Sequence, residues 1–169
     1  MTSRARKTTT LAMSVALAML LSYVESFVPM PLPGIKLGLA NTVTLFLLYT
    51  LGAPYAIGVS VVRIFLSTLL FGAFPTALIY SFAGAALSLS VMILAKRVLP
   101  FGKVGVSVLG GVFHNLGQTL AACLMMKTAE LAVYFIPLLA TGTVAGVAVG
   151  TISGILIAKL GDKIKTAKK

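Results

Sequence analysis

Acidic residues are almost absent from this chain. Among its 169 residues there are three Asp or Glu, against fourteen Lys or Arg. It holds one histidine, one cysteine and no tryptophan. Each scarcity excludes a class of chemistry. Three carboxylates, no two of them close in sequence, cannot form the Asp-rich motifs that hold Mg²⁺ on a diphosphate, because hard cations take oxygen ligands. One histidine and one cysteine make no zinc site. The lone Cys123 allows no intrachain disulfide. No GxxxxGK[ST] run is present, which excludes ATP hydrolysis by a P-loop. The residues therefore offer no metal site, no cofactor site and no catalytic constellation, and the chain reads as a non-enzyme.

What is present is apolar. The chain is 59% hydrophobic and 10% charged, whereas a soluble domain carries about a quarter charged residues. Its mean hydropathy is +1.06. These values describe an integral membrane protein. The net charge of +11 would suggest nucleic acid in a soluble chain. Here the basic residues flank the apolar runs, so membrane lipid is the expected partner and nucleic acid is not. The start, MTSRARKTTTLAMSVALAMLL, has the basic-then-apolar order of a signal peptide. Its run is long enough to span and lacks a small-x-small cleavage site before Glu25, so it reads as a retained first helix.

A span needs about 20 apolar residues. The apolar runs and their breaks predict an all-α bundle of six transmembrane helices in one domain, at about 8–28, 37–51, 54–71, 75–95, 104–126 and 133–159. The second is short. VPMPLPG, GAFP and KRVLPFGK are the clearest breaks. Pro29, Pro31, Pro33 and Gly34 read either as a stiff lid over the outer mouth or as a plain connector. With both termini cytoplasmic, the inner side receives Arg4, Arg6, Lys7, Lys96, Arg97, Lys103, Lys159, Lys163, Lys165, Lys168 and Lys169, eleven of the fourteen basic residues. That asymmetry fits a multi-pass protein of a bacterial cytoplasmic membrane.

The polar residues inside the spans fall in one layer, from the midplane outward. His114, Asn115 and Gln118 stand on the fifth span, Arg63 on the third and Glu25 on the first. Lys36 and Asn41 open the second, and Tyr80 lies in the outer part of the fourth. A charge at the bilayer centre costs at least ~2.5 kcal/mol, so Arg63 is expected to face a partner or a water-filled hollow shared with His114. Two readings follow. The layer is a knot of hydrogen bonds between helices, or it is a substrate-binding site. Lys36 and Arg63 face only one acid, Glu25, and that imbalance favours a site that receives an anion.

Small residues mark packing faces. Gly142, Gly146, Gly150 and Gly154 form one seam on the sixth span, read as internal helix packing. Ala12 and Ala16 form a row on the first, read equally as packing or as a docking face for another membrane subunit.

At PGIKLGLAN, Arg63 and HNLGQ the chain resembles the bacterial "Gx transporter" family, labelled heptaprenyl diphosphate synthase component I. That family is similar in turn to the substrate-binding subunits (S components) of energy-coupling-factor (ECF) importers. The resemblance covers about residues 10 to 160. It implies a six-helix subunit that binds a small vitamin-like or precursor molecule near the outer surface. An ECF transmembrane subunit and two ATPases would be its partners, docking at the Ala12–Ala16 motif. The alternative is an accessory membrane subunit for prenyl diphosphate or quinone metabolism.

Overall fold

The computed structural model describes residues 3–29, 36–71 and 74–165. Among them all regular structure is helical: α1 (Ser3–Ser26), α2 (Asn41–Thr50), α3 (Ala53–Phe71), α4 (Thr76–Val98), α5 (Lys103–Met126), a 3-10 turn (Glu130–Tyr134) and α6 (Phe135–Lys165). Helices satisfy their own backbone polar groups, which hydrocarbon requires of a spanning segment. All but α2 are long and apolar enough to cross a bilayer. The protein is therefore a multi-pass membrane protein.

Two segments differ from the sequence expectation. The expected span at 37–51 is a helix of only ten residues. At 1.5 Å per residue it is about 15 Å long, half the hydrocarbon thickness of ~30 Å. The chain spends residues 36–40 on a non-helical strap, with Gly38 at φ +91°. What remains is a core helix in which every residue except Tyr49 is buried. The first helix, conversely, begins at Ser3 rather than near residue 8. Thr8, Thr9 and Thr10 return hydroxyl bonds of 2.9–3.1 Å to the carbonyls of Arg4, Ala5 and Arg6, so the polar start is helical too. Pro31, Pro33 and Gly34 of the expected lid lie outside the described residues.

Contacts at the helix ends give their directions. Lys7, early in α1, sits 4.4 Å over the ring of Tyr55, early in α3. Lys96, late in α4, donates at 2.6 Å to the carbonyl of Leu48, late in α2. A methyl on Gly161, late in α6, would lie 3.8 Å from Thr50 at the end of α2. One on Gly150 would lie 2.8 Å from Cα of Val104 at the start of α5. The starts of α1, α3 and α5 and the ends of α2, α4 and α6 thus share one end of the bundle. Successive helices run antiparallel, and the basic residues from Arg4 to Lys7, Lys96, Arg97, Lys103 and Lys159 gather there.

Helix α5 is the centre of the packing, held between α4 and α6 by missing side chains. A methyl on Gly117 would come within 2.6 Å of the Ala83 carbonyl of α4. On the other side, Gly111 faces the Gly142 carbonyl of α6, and a methyl on Gly146 would lie 2.6 Å from Cα of Val108. Gly142, Gly146 and Gly150 all lie against α5, whereas Gly154 has no neighbour within 4 Å of a methyl's position.

Candidate functional site

The polar layer is assembled around the strap. Glu25, in the last turn of α1, reaches across to it. Its Oε1 accepts the backbone N–H of Gly38 in a short bond and that of Leu39 at 3.2 Å. Gln118 of α5 holds the strap from the other side. The Lys36 N–H donates to its Oε1 at 2.8 Å, and its Nε2 donates to the Lys36 carbonyl at 3.1 Å. Backbone groups with no helix or strand partner must be satisfied when buried. Glu25 and Gln118 do this for the strap, which explains why two polar residues stand on otherwise apolar helices.

Gly38 lets the strap lie close to its neighbours. A methyl there would fall 2.9 Å from Asn41 Nδ2 and 3.3 Å from His114 Cδ2, and a positive φ already disfavours any other residue. Gly84 of α4 flanks the imidazole from the opposite side, since its methyl would fall 3.0 Å from His114 Cε1. His114 is thus wedged between two glycines. Arg63, midway along α3, donates from Nη2 to Asn41 Oδ1 at 3.2 Å. Asn115 turns away to α6 and donates to the Leu138 carbonyl at 2.6 Å.

Among the described residues several buried atoms of the layer have no hydrogen-bond partner: Glu25 Oε2, Lys36 Nζ, Arg63 Nε, His114 Nδ1 and Asn115 Oδ1. Lys36 and Arg63 both act electrostatically on the Glu25 carboxylate and on His114. A buried ionic group without a full set of bonds is costly. The arrangement has two cations, one carboxylate already half committed to the strap, and a free imidazole nitrogen.

Among the described residues the expected wet hollow does not open beside Arg63 and His114. Arg63 is 3% exposed and His114 2%, so protein closes over both. The strap is the reason: Lys36, Gly38 and Ala40 are themselves buried across the layer. A void that Gly38 and Asn41 share with α5 and α6 measures about 10 Å³, room for at most one water. The guanidinium meets Asn41 and the strap region rather than solvent.

Of the residues singled out from sequence, Glu25, Lys36, Asn41, Arg63, His114 and Gln118 are linked through the strap by the bonds and contacts above. Asn115 is on the same turn of α5 but bonds toward α6. Tyr80 is buried in a separate apolar cluster with Ala121, Ala122 and Leu138. Ala12 and Ala16 are exposed on α1. Among the described residues there is no group of three or more His, Cys, Asp or Glu able to hold a metal. Sequence reasoning missed Gly84 as part of the layer, and no local pattern marked it.

The fold and this layer define a polytopic helical membrane protein with a charged, closed polar centre. The chain belongs to the family described as heptaprenyl diphosphate synthase component I, which matches residues 14–156. No curated protein and no solved structure matches the chain.

Proposed function

We propose that this chain is the membrane-embedded binding subunit of a multicomponent importer, comparable to an ECF S component. It takes a small anionic molecule at the layer formed by Lys36, Arg63 and His114, with Asn41 and Gln118 beside it. One observation carries the reading: Lys36 Nζ and Arg63 Nε are buried without hydrogen-bond partners among the described residues. A purely structural knot would be expected to satisfy its own cations, since an incompletely satisfied polar network is worse than an apolar core. The closed state of the layer requires the strap to move for a ligand to reach it. In this proposal the strap at 36–40 is the moving cover, held by Glu25 and Gln118.

The basic end of the bundle faces the cytoplasm on the positive-inside rule. Both termini then lie inside, with the strap at 36–40 and α2 counted as the sixth crossing, in a bacterial cytoplasmic membrane. The polar layer lies toward the outside, as an importer needs. The chain has no P-loop of its own, so ATPase partners and a second transmembrane subunit supply the energy.

A second reading is favoured by the family's description: a component of a prenyl diphosphate synthase, bound to a soluble catalytic partner. In that case the polar layer only ties helices together. Gentle detergent extraction of the tagged chain from its native host separates the two. Co-purified ATPases support the importer, and a co-purified soluble synthase with no ATPase contradicts it.

A further inference from the structure

A groove opens on the flank of the bundle where α1 and α6 stand apart over the short α2. Its walls are Thr10, Met13 and Leu17 of α1 and Leu156 and Leu160 of α6, with Phe46 of α2 in the floor, and it measures about 320 Å³. That is the size of a small ligand pocket. It exists because α2 is too short and too deeply set to fill the gap between its neighbours. Met13 is 68% exposed, and Leu17 and Leu160 are about two-fifths exposed, at 42% and 41%, so the groove opens to the surroundings of the helices.

Its chemistry narrows the occupant. The hydroxyls in the α1 wall are already committed, Thr10 to the Arg6 carbonyl at 2.9 Å and Ser14 to the Thr10 carbonyl at 2.8 Å. The interior therefore asks for hydrocarbon, not for a polar partner. The mouth is different. Thr10 lies toward the end where the basic residues gather, and Arg6 is one turn further along the same face of α1. Arg6 is exposed. An apolar channel with a cation one turn beyond its end is complementary to an anionic amphiphile.

We infer that this groove is a binding site for an anionic phospholipid of the surrounding membrane, one acyl chain lying along α2 and the phosphate at Arg6. The site is separate from the polar layer and does not rest on the function proposed for it.

The chain has no tryptophan, so Leu17→Trp places a single reporter in the groove. The full-length variant is reconstituted in phosphatidylcholine vesicles containing either brominated phosphatidylglycerol or brominated phosphatidylcholine. Brominated phosphatidylglycerol is expected to quench at a several-fold lower mole fraction, since a basic residue near an anionic lipid surface favours it by about fivefold. Adding Arg6→Gln is expected to remove most of that preference. Adding Lys103→Gln, at the same end but on α5 away from the groove, is expected to leave it unchanged. Met13→Trp repeats the test in case a ring at position 17 fills the groove itself. Equal quenching by the two lipids at both reporters overturns the inference, because hydrocarbon alone then occupies the groove. An equal loss from Lys103→Gln and Arg6→Gln overturns it as well, since the preference is then a diffuse surface effect. Absence of quenching by either lipid overturns it by showing the groove filled by protein.

Discussion

Gln118 and Lys36 are joined by a reciprocal pair of hydrogen bonds, 2.8 Å from the lysine N–H to the glutamine oxygen and 3.1 Å from the glutamine nitrogen to the lysine carbonyl. A side-chain amide here does what a neighbouring strand does elsewhere: it satisfies both polar groups of one residue in an unsupported backbone. Gln118→Leu leaves both groups buried and unpaired, at roughly 1–3 kcal/mol each. The expected result is a clear fall in thermal midpoint in detergent, with faster thiol labelling of a Leu37→Cys reporter. An unchanged midpoint and labelling rate would show that the strap is held by something else.

Lys36 gives the opposite sign. Among the described residues its ammonium has no hydrogen-bond partner, so Lys36→Met is expected to raise thermal stability near neutral pH while abolishing anion binding. Thermal midpoints of the two proteins in detergent check this, and a variant less stable than wild type would make Lys36 a structural residue.

Among the described residues Arg63 has one side-chain acceptor, Asn41, at 3.2 Å. Asn41→Ala is expected to cost about 1.5–3 kcal/mol, the range for a bond to a charged group, because it leaves a buried guanidinium without that acceptor. In an Arg63→Met background the same substitution should cost much less. A double-mutant cycle from denaturant unfolding measures the difference, and strict additivity would refute the coupling.

Along α6 the glycines are unequal. Gly146→Ala must push α5 and α6 apart, because its methyl would meet the Val108 backbone, at a cost of about 1–3 kcal/mol. Gly154→Ala meets nothing within 4 Å and should be neutral or stabilising by up to about 1 kcal/mol, the helix preference for alanine. Thermal midpoints of the two variants decide it, and equal losses would be inconsistent with this packing.

The long helices were legible because hydrocarbon imposes a simple rule on composition. The runs expected at 54–71, 75–95 and 104–126 agree with α3, α4 and α5 to within three residues at either end. Hydropathy does not see where a helix continues into water, so the polar start of α1 and the last turn of α6 escaped it. The strap escaped for another reason. Residues 36–40 are apolar enough to read as helix, and the side chains that give their backbone alternative partners, Glu25 and Gln118, are distant in sequence. The layer's membership was readable from scarcity, since few polar residues exist to build it. Its closure was not, because whether Arg63 meets water or the strap depends on a main-chain path that no local pattern encodes. Tyr80 illustrates the limit: depth placed it near the layer, but packing put it with Ala121, Ala122 and Leu138.

The binding role of the polar layer is tested most directly by the small molecules carried by the protein itself. Wild type and Arg63→Met are purified from the same host, shown to be folded by their unfolding transitions, denatured, and their released compounds compared by mass spectrometry. The predicted result is one small anionic compound enriched with wild type and absent from the variant. Identical small-molecule content in the two folded proteins would contradict a binding site at Arg63 and leave the layer as a tie between helices.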